Sequence, residues 1–185
     1  MDSDKSLICA LMAQPPPGPP PAPKRLAADV AAAGAYADQM HATCEKTLAR
    51  AAEFTEDQLQ SGVDGEWSTV QSLRHLVFVA DLWLSRTILG EADPFHPIGL
   101  PPHFVPAKLP GTSIDPDAQP TFAEASEVLR GRLAHVESSV AALDDADLAR
   151  PIDNHAGNVA GALGVLFDEY AAHDSFINRD LDKIR

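Results

Sequence analysis

Apolar side chains recur at three- and four-residue steps through four long stretches of this chain, and nothing resembling a set of paired strands lies between them. The first stretch runs from Lys24 to about Ala52 and is alanine-rich, with Leu26, Val30, Ala33, Tyr36, Met40, Cys44 and Leu48 on its stripe. The second, capped by Ser68 or Thr69, runs to Leu89 and stops at Gly90. Thr121 caps the third, Phe122 to about Leu143, striped by Val128, Leu129, Leu133, Val136 and Val140. The fourth extends from about Asn158 to the C-terminus through Leu163, Leu166, Tyr170, His173, Ile177 and Leu181. Helices of that number and length predict an all-α protein, a four-helix bundle.

The connection between the second and third helices is unusual. From Gly90 to Pro120 it carries Pro94, Pro97, Pro101, Pro102, Pro106, Pro110, Pro116 and Pro120, so it has little regular structure. An up-down link needs only ~2–8 residues, and one of about 30 predicts a long crossover loop that travels the length of the bundle. Such a loop could roof one end, with Phe95, His96, His103 and Phe104 at a pocket mouth; a loop that merely covers core fits equally well. Residues 1–24 stand apart. The run Gln14 to Pro23 is almost all proline and cannot form helix or interior strand, which predicts a disordered, polyproline-II-like tail ahead of a domain spanning 25–185.

Composition narrows the function classes. A hydrophobic content of 45% over 185 residues supports one real core. The net charge of -13, pI ≈ 4.7 and lack of a basic stripe argue against nucleic acid. The apolar run Leu7 to Ala13 falls far short of the ~20 residues of a membrane span. Asp2 and Asp4 stand where a signal peptide carries positive charge. Cys9 and Cys44 lack CxxC spacing and read as two free thiols in a reducing cytoplasm.

Three polar side chains stand out against the helical wheels. His75 falls between Val79 and Leu82 in the apolar arc of the second helix, away from a narrow polar edge of Arg74, Asp81 and Ser85. On the fourth helix Val159, Leu163, Leu166, Ile177 and Ile184 mark the buried face. Glu169 and His173 flank it near Phe176, while Asp168 points away with Ser175 and Arg179. An i, i+4 pair stands one turn apart, ~5–6 Å between Cβ atoms, which suits two ligands of one metal ion. His75 on a facing helix would be the third ligand of a divalent cation, with Zn, Ni and Fe(II) all compatible. The alternative is a hydrogen-bonded core histidine beside a self-satisfied Glu–His pair.

Other polar groups carry less. Asp180 could orient a ligand or be a solvated helix-end charge. His41 has no partner spacing, His135 lies among solvated charges, His155 belongs to a turn, and the acids of Asp144-Asp145-Ala146-Asp147 lack calcium-loop spacing. No GxGxxG, Walker or GxSxG pattern is present.

Taken together, Trp67-Ser68 opening the second helix, His75 seven residues after Ser68, the long crossover, and Glu169-x-x-x-His173 on a helix ending Asn178-Arg179-Asp180-Leu181 make the chain resemble the DinB/YfiT-like superfamily over about residues 25–185. It looks closest to the branch that includes mycothiol-dependent maleylpyruvate isomerase. The resemblance implies a four-helix bundle holding a divalent metal, commonly Zn or Ni, at positions corresponding to His75, Glu169 and His173. It also implies a thiol-dependent transferase or isomerase that uses a low-molecular-weight thiol, such as mycothiol, bacillithiol or glutathione, on a small electrophilic substrate. Glu169 stands where the family commonly has His; a carboxylate still ligates, but its negative charge lowers the Lewis acidity of the ion. The competing expectation is a non-catalytic DinB-like binding or stress-response module with no functional metal site. A homodimer through helix faces is compatible with either.

Overall fold

The fold was analysed in a computed structural model, which describes residues 23–103 and 109–185. The tail reading for residues 1–22, Cys9 and Phe104 lie outside the described residues. The helices are α1 (Val30–Ala51), α2 (Glu56–Gln60), α3 (Thr69–Ala80), α4 (Phe122–Ala141), α5 (Asp145–Ala149) and α6 (Val159–Lys183). Asp81–Ile88 prolongs α3 without a break as wider π-helical turns. There is no strand among the described residues, only an isolated bridge between Pro151 and Asn158. No helix among them is long and apolar enough to cross a membrane.

Side-chain caps set where these helices begin. Ser68 and Thr121 form capping boxes with Gln71 and Glu124, and Asn158 accepts from the Gly161 N–H. The first helix starts at Val30, later than its apolar stripe suggests, because Asp29 caps it by accepting from the Ala32 N–H. Lys24 and Arg25 are meanwhile drawn to Asp168 on α6, and Leu26 is left exposed. The acids at 144–147 are a capping box that starts α5, with Asp144 accepting from the Asp147 N–H.

Cross-helix contacts give the directions of the chain. Tyr36 meets Phe167 and Thr47 meets Asp174, so α1 and α6 run parallel. Asp81 meets Arg132 and, further along both segments, Glu91 meets His135, so α3 and α4 run parallel as well. Two parallel neighbours need a return path, and the 90–120 connection supplies it. It retraces α3 through Glu91 N–H to Ser85 O, His96 N–H to the Asp81 carboxylate and Leu100 N–H to Arg74 O. It reaches α2 where Gln60 donates to Pro120 O. The long helices close around Leu48, Leu73, Leu76, Leu84, Leu129, Leu133, Leu163, Leu166 and Leu181, all fully buried.

The polar edge of α3 does not face solvent. Arg74, Asp81 and Ser85 are buried, because the return loop lies over them and packs Phe95, Leu109 and Ile114 around Phe78. Arg74 Nε donates to Ile98 O at 2.8 Å. Asp81 is 0% exposed; Arg132 Nε approaches its Oδ1 at 2.6 Å, though the N–H is not aimed squarely at the oxygen. Burial pushes the Asp81 carboxyl up to about 6, outweighing the His96 N–H and Arg132, which pull it down.

Two measurements follow from this packing. A Cβ on Gly161 would sit 2.1 Å from Ala156 O, a backbone atom that cannot step aside, whereas one on Gly131 would meet nothing within 4 Å. Gly161→Ala should therefore cost about 1–3 kcal/mol in urea unfolding, while Gly131→Ala should stabilise by up to ~1 kcal/mol. Asp81 has a raised folded-state pKa, so its contribution is fully present below the unfolded value near 4 and is lost as pH rises through 6. Wild type should thus gain about 1 kcal/mol relative to Asp81→Asn between pH 7 and pH 5.

Candidate metal centre

His75 lies nearly two turns into α3, and the return loop decides how its ring is held. Its Nδ1 is 2.9 Å from Leu100 O. A carbonyl can only accept, so Nδ1 carries the proton and Nε2 keeps its lone pair, the arrangement typical of a metal-ligating imidazole. Leu100 is itself anchored by its N–H on Arg74 O. Leu100 is therefore tied to α3 through both its N–H and its C=O.

Glu169 and His173 come from consecutive turns of α6, with His173 Nε2 3.8 Å from Glu169 Oε2. The His75 and His173 ring centroids are 4.7 Å apart. One ligand atom from each of the three residues lies within 4.8 Å of the other two, a spacing that a divalent cation spans after small side-chain adjustment. The structure brings all three sequence-derived candidates together. His173 Nδ1 is buried and has no hydrogen-bond partner. The 3.8 Å from His173 Nε2 to Glu169 is too long for a hydrogen bond, so the pair does not satisfy itself and the donor set fits a cation better than a closed hydrogen-bond cluster.

The electrostatics point the same way. Burial pushes the His75 pKa down, reinforced by His103 and opposed by the bond to Leu100 O. Burial, then His75, brings His173 down to about 4. Both rings are therefore neutral near pH 7, the form that ligates. Burial, then Asp168, raises the Glu169 carboxyl, which is the response of a carboxylate lacking a counter-charge.

Aromatic groups surround the donors. The Trp67 ring lies 4.9 Å from His75, 6.0 Å from His173 and 4.4 Å from His103. It is delivered by the tight turn before α3, where a Cβ on Gly62 would sit 2.3 Å from Glu66 O. Phe176, half-exposed, packs edge-on to His173 and carries Arg179 over its face at 5.4 Å. The motif Trp67-Ser68 marks the start of α3 in the sequence, but nothing there shows that Trp67 folds back onto both imidazoles.

The remaining candidates lie elsewhere. Asp168 binds Lys24 N–H and Arg25, as its outward position on the wheel suggests. Arg179 does not keep company with it; Glu66 and Asp180 draw the guanidinium over Phe176 instead. Asp180 is buried and engages Arg179 and Lys183, not an imidazole. His41 has a partner that local spacing could not reveal, Glu137 on α4 at 2.6 Å. His135 stands 4.0 Å from Glu91, and His155 meets the Trp83 ring edge-on. His96 caps its own loop by accepting from the Ile98 N–H. Cys44 is buried and its thiol is pushed up to about 12 by burial, then by Asp174 and Glu45, so it stays protonated.

The family model of the DinB superfamily matches residues 39–177, a span that holds all three donors. No curated protein and no solved structure matches the chain.

In metal-free protein the two imidazoles must stay neutral in the fold but charge in the unfolded chain. The folded-state pKa is the lower one, so stability is complete above about 6.5 and falls as the pH drops toward 4. Between pH 7 and pH 5, in the presence of chelator, wild type should lose about 2 kcal/mol more than His173→Gln by urea unfolding.

Proposed function

The chain belongs to the DinB superfamily, and from that membership we propose that it holds one divalent cation through His75 Nε2, the Glu169 carboxylate and His173, and uses it to present a low-molecular-weight thiol to a small electrophile. The observation that carries this reading is the convergence of the three groups, one ligand atom of each within 4.8 Å of the other two, together with an unpartnered buried nitrogen on His173. A bound Zn, Ni or Fe(II) ion in such a set supplies Lewis acidity that keeps a thiol deprotonated at neutral pH.

The rest of the chemistry belongs to side chains of the chain. His75 is held in one tautomer by Leu100 O, so its free nitrogen faces the other donors without titrating near pH 7. Glu169 adds a negative charge that offsets one charge of the ion, which favours release of product thiol over permanent capture. Trp67, His103 and Phe176 form an aromatic mouth that excludes water from one side and offers ring faces to an apolar substrate body. Cys44 is protonated and buried, so it is not the nucleophile, and the reading instead draws the thiol from a small molecule such as mycothiol. Thiol-dependent transfer and thiol-dependent isomerisation both begin with that attack, and a reducing cytoplasm is where such a thiol is available.

Elemental analysis of untagged protein tests the first half. About one equivalent of a divalent transition metal is expected in wild type, lost in His75→Ala and in Glu169→Ala. Substoichiometric metal that is the same in all three proteins would overturn the reading and leave a non-catalytic binding or stress-response module. Thermal shifts of the metal-loaded protein with mycothiol, bacillithiol and glutathione test the second half, and at least one thiol should raise the midpoint in wild type but not in Glu169→Ala.

A further inference from the structure

The opposite flank of α6 carries a second polar feature that the metal reading does not use. A cleft of ≈ 210 Å³ lies between α1 and α6, lined by Tyr36, Met40, Cys44, Phe167 and Tyr170, by the polar Gln39 and Thr43, and by Asp174. The Tyr36 and Phe167 rings stand 5.7 Å apart at 44°, presenting inclined faces. Asp174 follows His173 in sequence, but one residue turns a helix by ~100°. Its carboxylate accordingly reaches Thr47 on α1, while His173 faces His75 on α3.

That carboxylate is held in position by a chain of hydrogen bonds. Thr47 Oγ1 donates to Asp174 Oδ1; Asn178 Nδ2 donates to Thr47 Oγ1 at 2.7 Å; Arg50 donates to Asn178 Oδ1 at 2.9 Å. Only one oxygen is engaged, and Asp174 forms no ion pair among the described residues. The one cationic side chain lining the cleft, Arg25, is committed to Asp168 at 2.7 Å. Asp174 therefore has no cationic partner, and its carboxylate is felt across the cleft, where it helps push the Cys44 thiol up. A half-buried carboxylate beside aromatic faces and sulfur atoms lacks two things: a cation, and an apolar body to fill the cleft. Hydrated inorganic ions meet only the first need, because they bring no apolar body to lie against the rings and the Met40 and Cys44 sulfurs.

We propose that this cleft binds a small organic ammonium ion, with its N–H groups donating to the free oxygen of Asp174 and its alkyl portion lying against Tyr36, Phe167 and Met40. The site is separate from the metal centre and does not depend on it.

Isothermal titration of the full chain with n-butylammonium chloride tests this, with n-butanol and potassium chloride as matched probes that lack the charge or the alkyl body. Butylammonium should saturate one site with a dissociation constant of about 1–10 mM, and both controls should bind at least about tenfold more weakly. Asp174→Asn keeps an acceptor for Thr47 and should weaken butylammonium about tenfold or more; Tyr36→Leu should weaken it severalfold. Butanol binding as well as butylammonium, an unchanged affinity in Asp174→Asn, or no saturable binding of butylammonium to wild type would each overturn the proposal. The comparison of the three probes on wild type decides the matter even where a variant folds poorly.

Discussion

The polar edge of α3 cannot be buried without partners, and meeting that need shapes much of the molecule. Arg74, His75 and Asp81 all lie beneath the return loop. Each makes one hydrogen bond with it: Arg74 to Ile98 O, His75 to Leu100 O, Asp81 from the His96 N–H, while Arg74 Nη2 and Asp81 Oδ1 keep no hydrogen-bond partner. An unpaired buried donor or acceptor costs about 1–3 kcal/mol, so three such contacts along one helix fix the loop's register firmly. The same contacts let α3 and α4 run side by side in the same direction, since the loop that carries the chain back also covers the edge it passes over. Fold and candidate site share this seam, because the carbonyl that finishes the loop's anchorage also selects the tautomer of His75.

Around the donors, low polarity and negative charge oppose each other. The surroundings favour neutral imidazoles and resist an ionised Glu169. A cation resolves both demands at once, since it binds neutral nitrogen and compensates a carboxylate. Aromatic rings rather than further charges complete the shell: Trp67 covers both imidazoles, and the nearest guanidinium, Arg179, is already paired with Glu66 and Asp180. Asp81, by contrast, answers its buried charge with Arg132 and a backbone N–H. The two carboxylates on facing helices thus differ: Asp81 has a cationic partner within the chain, and Glu169 has none but the neutral His173.

Much of this was legible in the residues. Apolar stripes identified the long helices because packing against a single core demands a three- and four-residue period. Ser68, Thr121 and Asn158 cap where their chemistry predicts. The wheel separated Glu169 from Asp168 because neighbouring residues diverge by more than a right angle. What stayed hidden depends on contacts distant in the chain. A polar edge reads as solvent-facing unless the loop that will cover it is known, so Arg74, Asp81 and Ser85 were misplaced. The pairing of His41 with Glu137 and the folding of Trp67 onto His75 have no local pattern. The π-helical turns after Ala80 leave the apolar stripe nearly intact and so escape a periodicity reading. Helices α2 and α5 are too short to show a period at all.

The parallel course of α3 and α4 has a consequence for how the protein is made. His75 is placed on the second long helix, its orienting carbonyl on the loop that follows, and its fellow donors on the last long helix. A growing chain that has delivered α1 to α4 already has its most polar seam closed, but holds one of the three candidate donors. Contacts this far apart in sequence form late and slowly. An ion that needs all three groups would then be taken up only once α6 has docked, after the seam that orients His75 is in place.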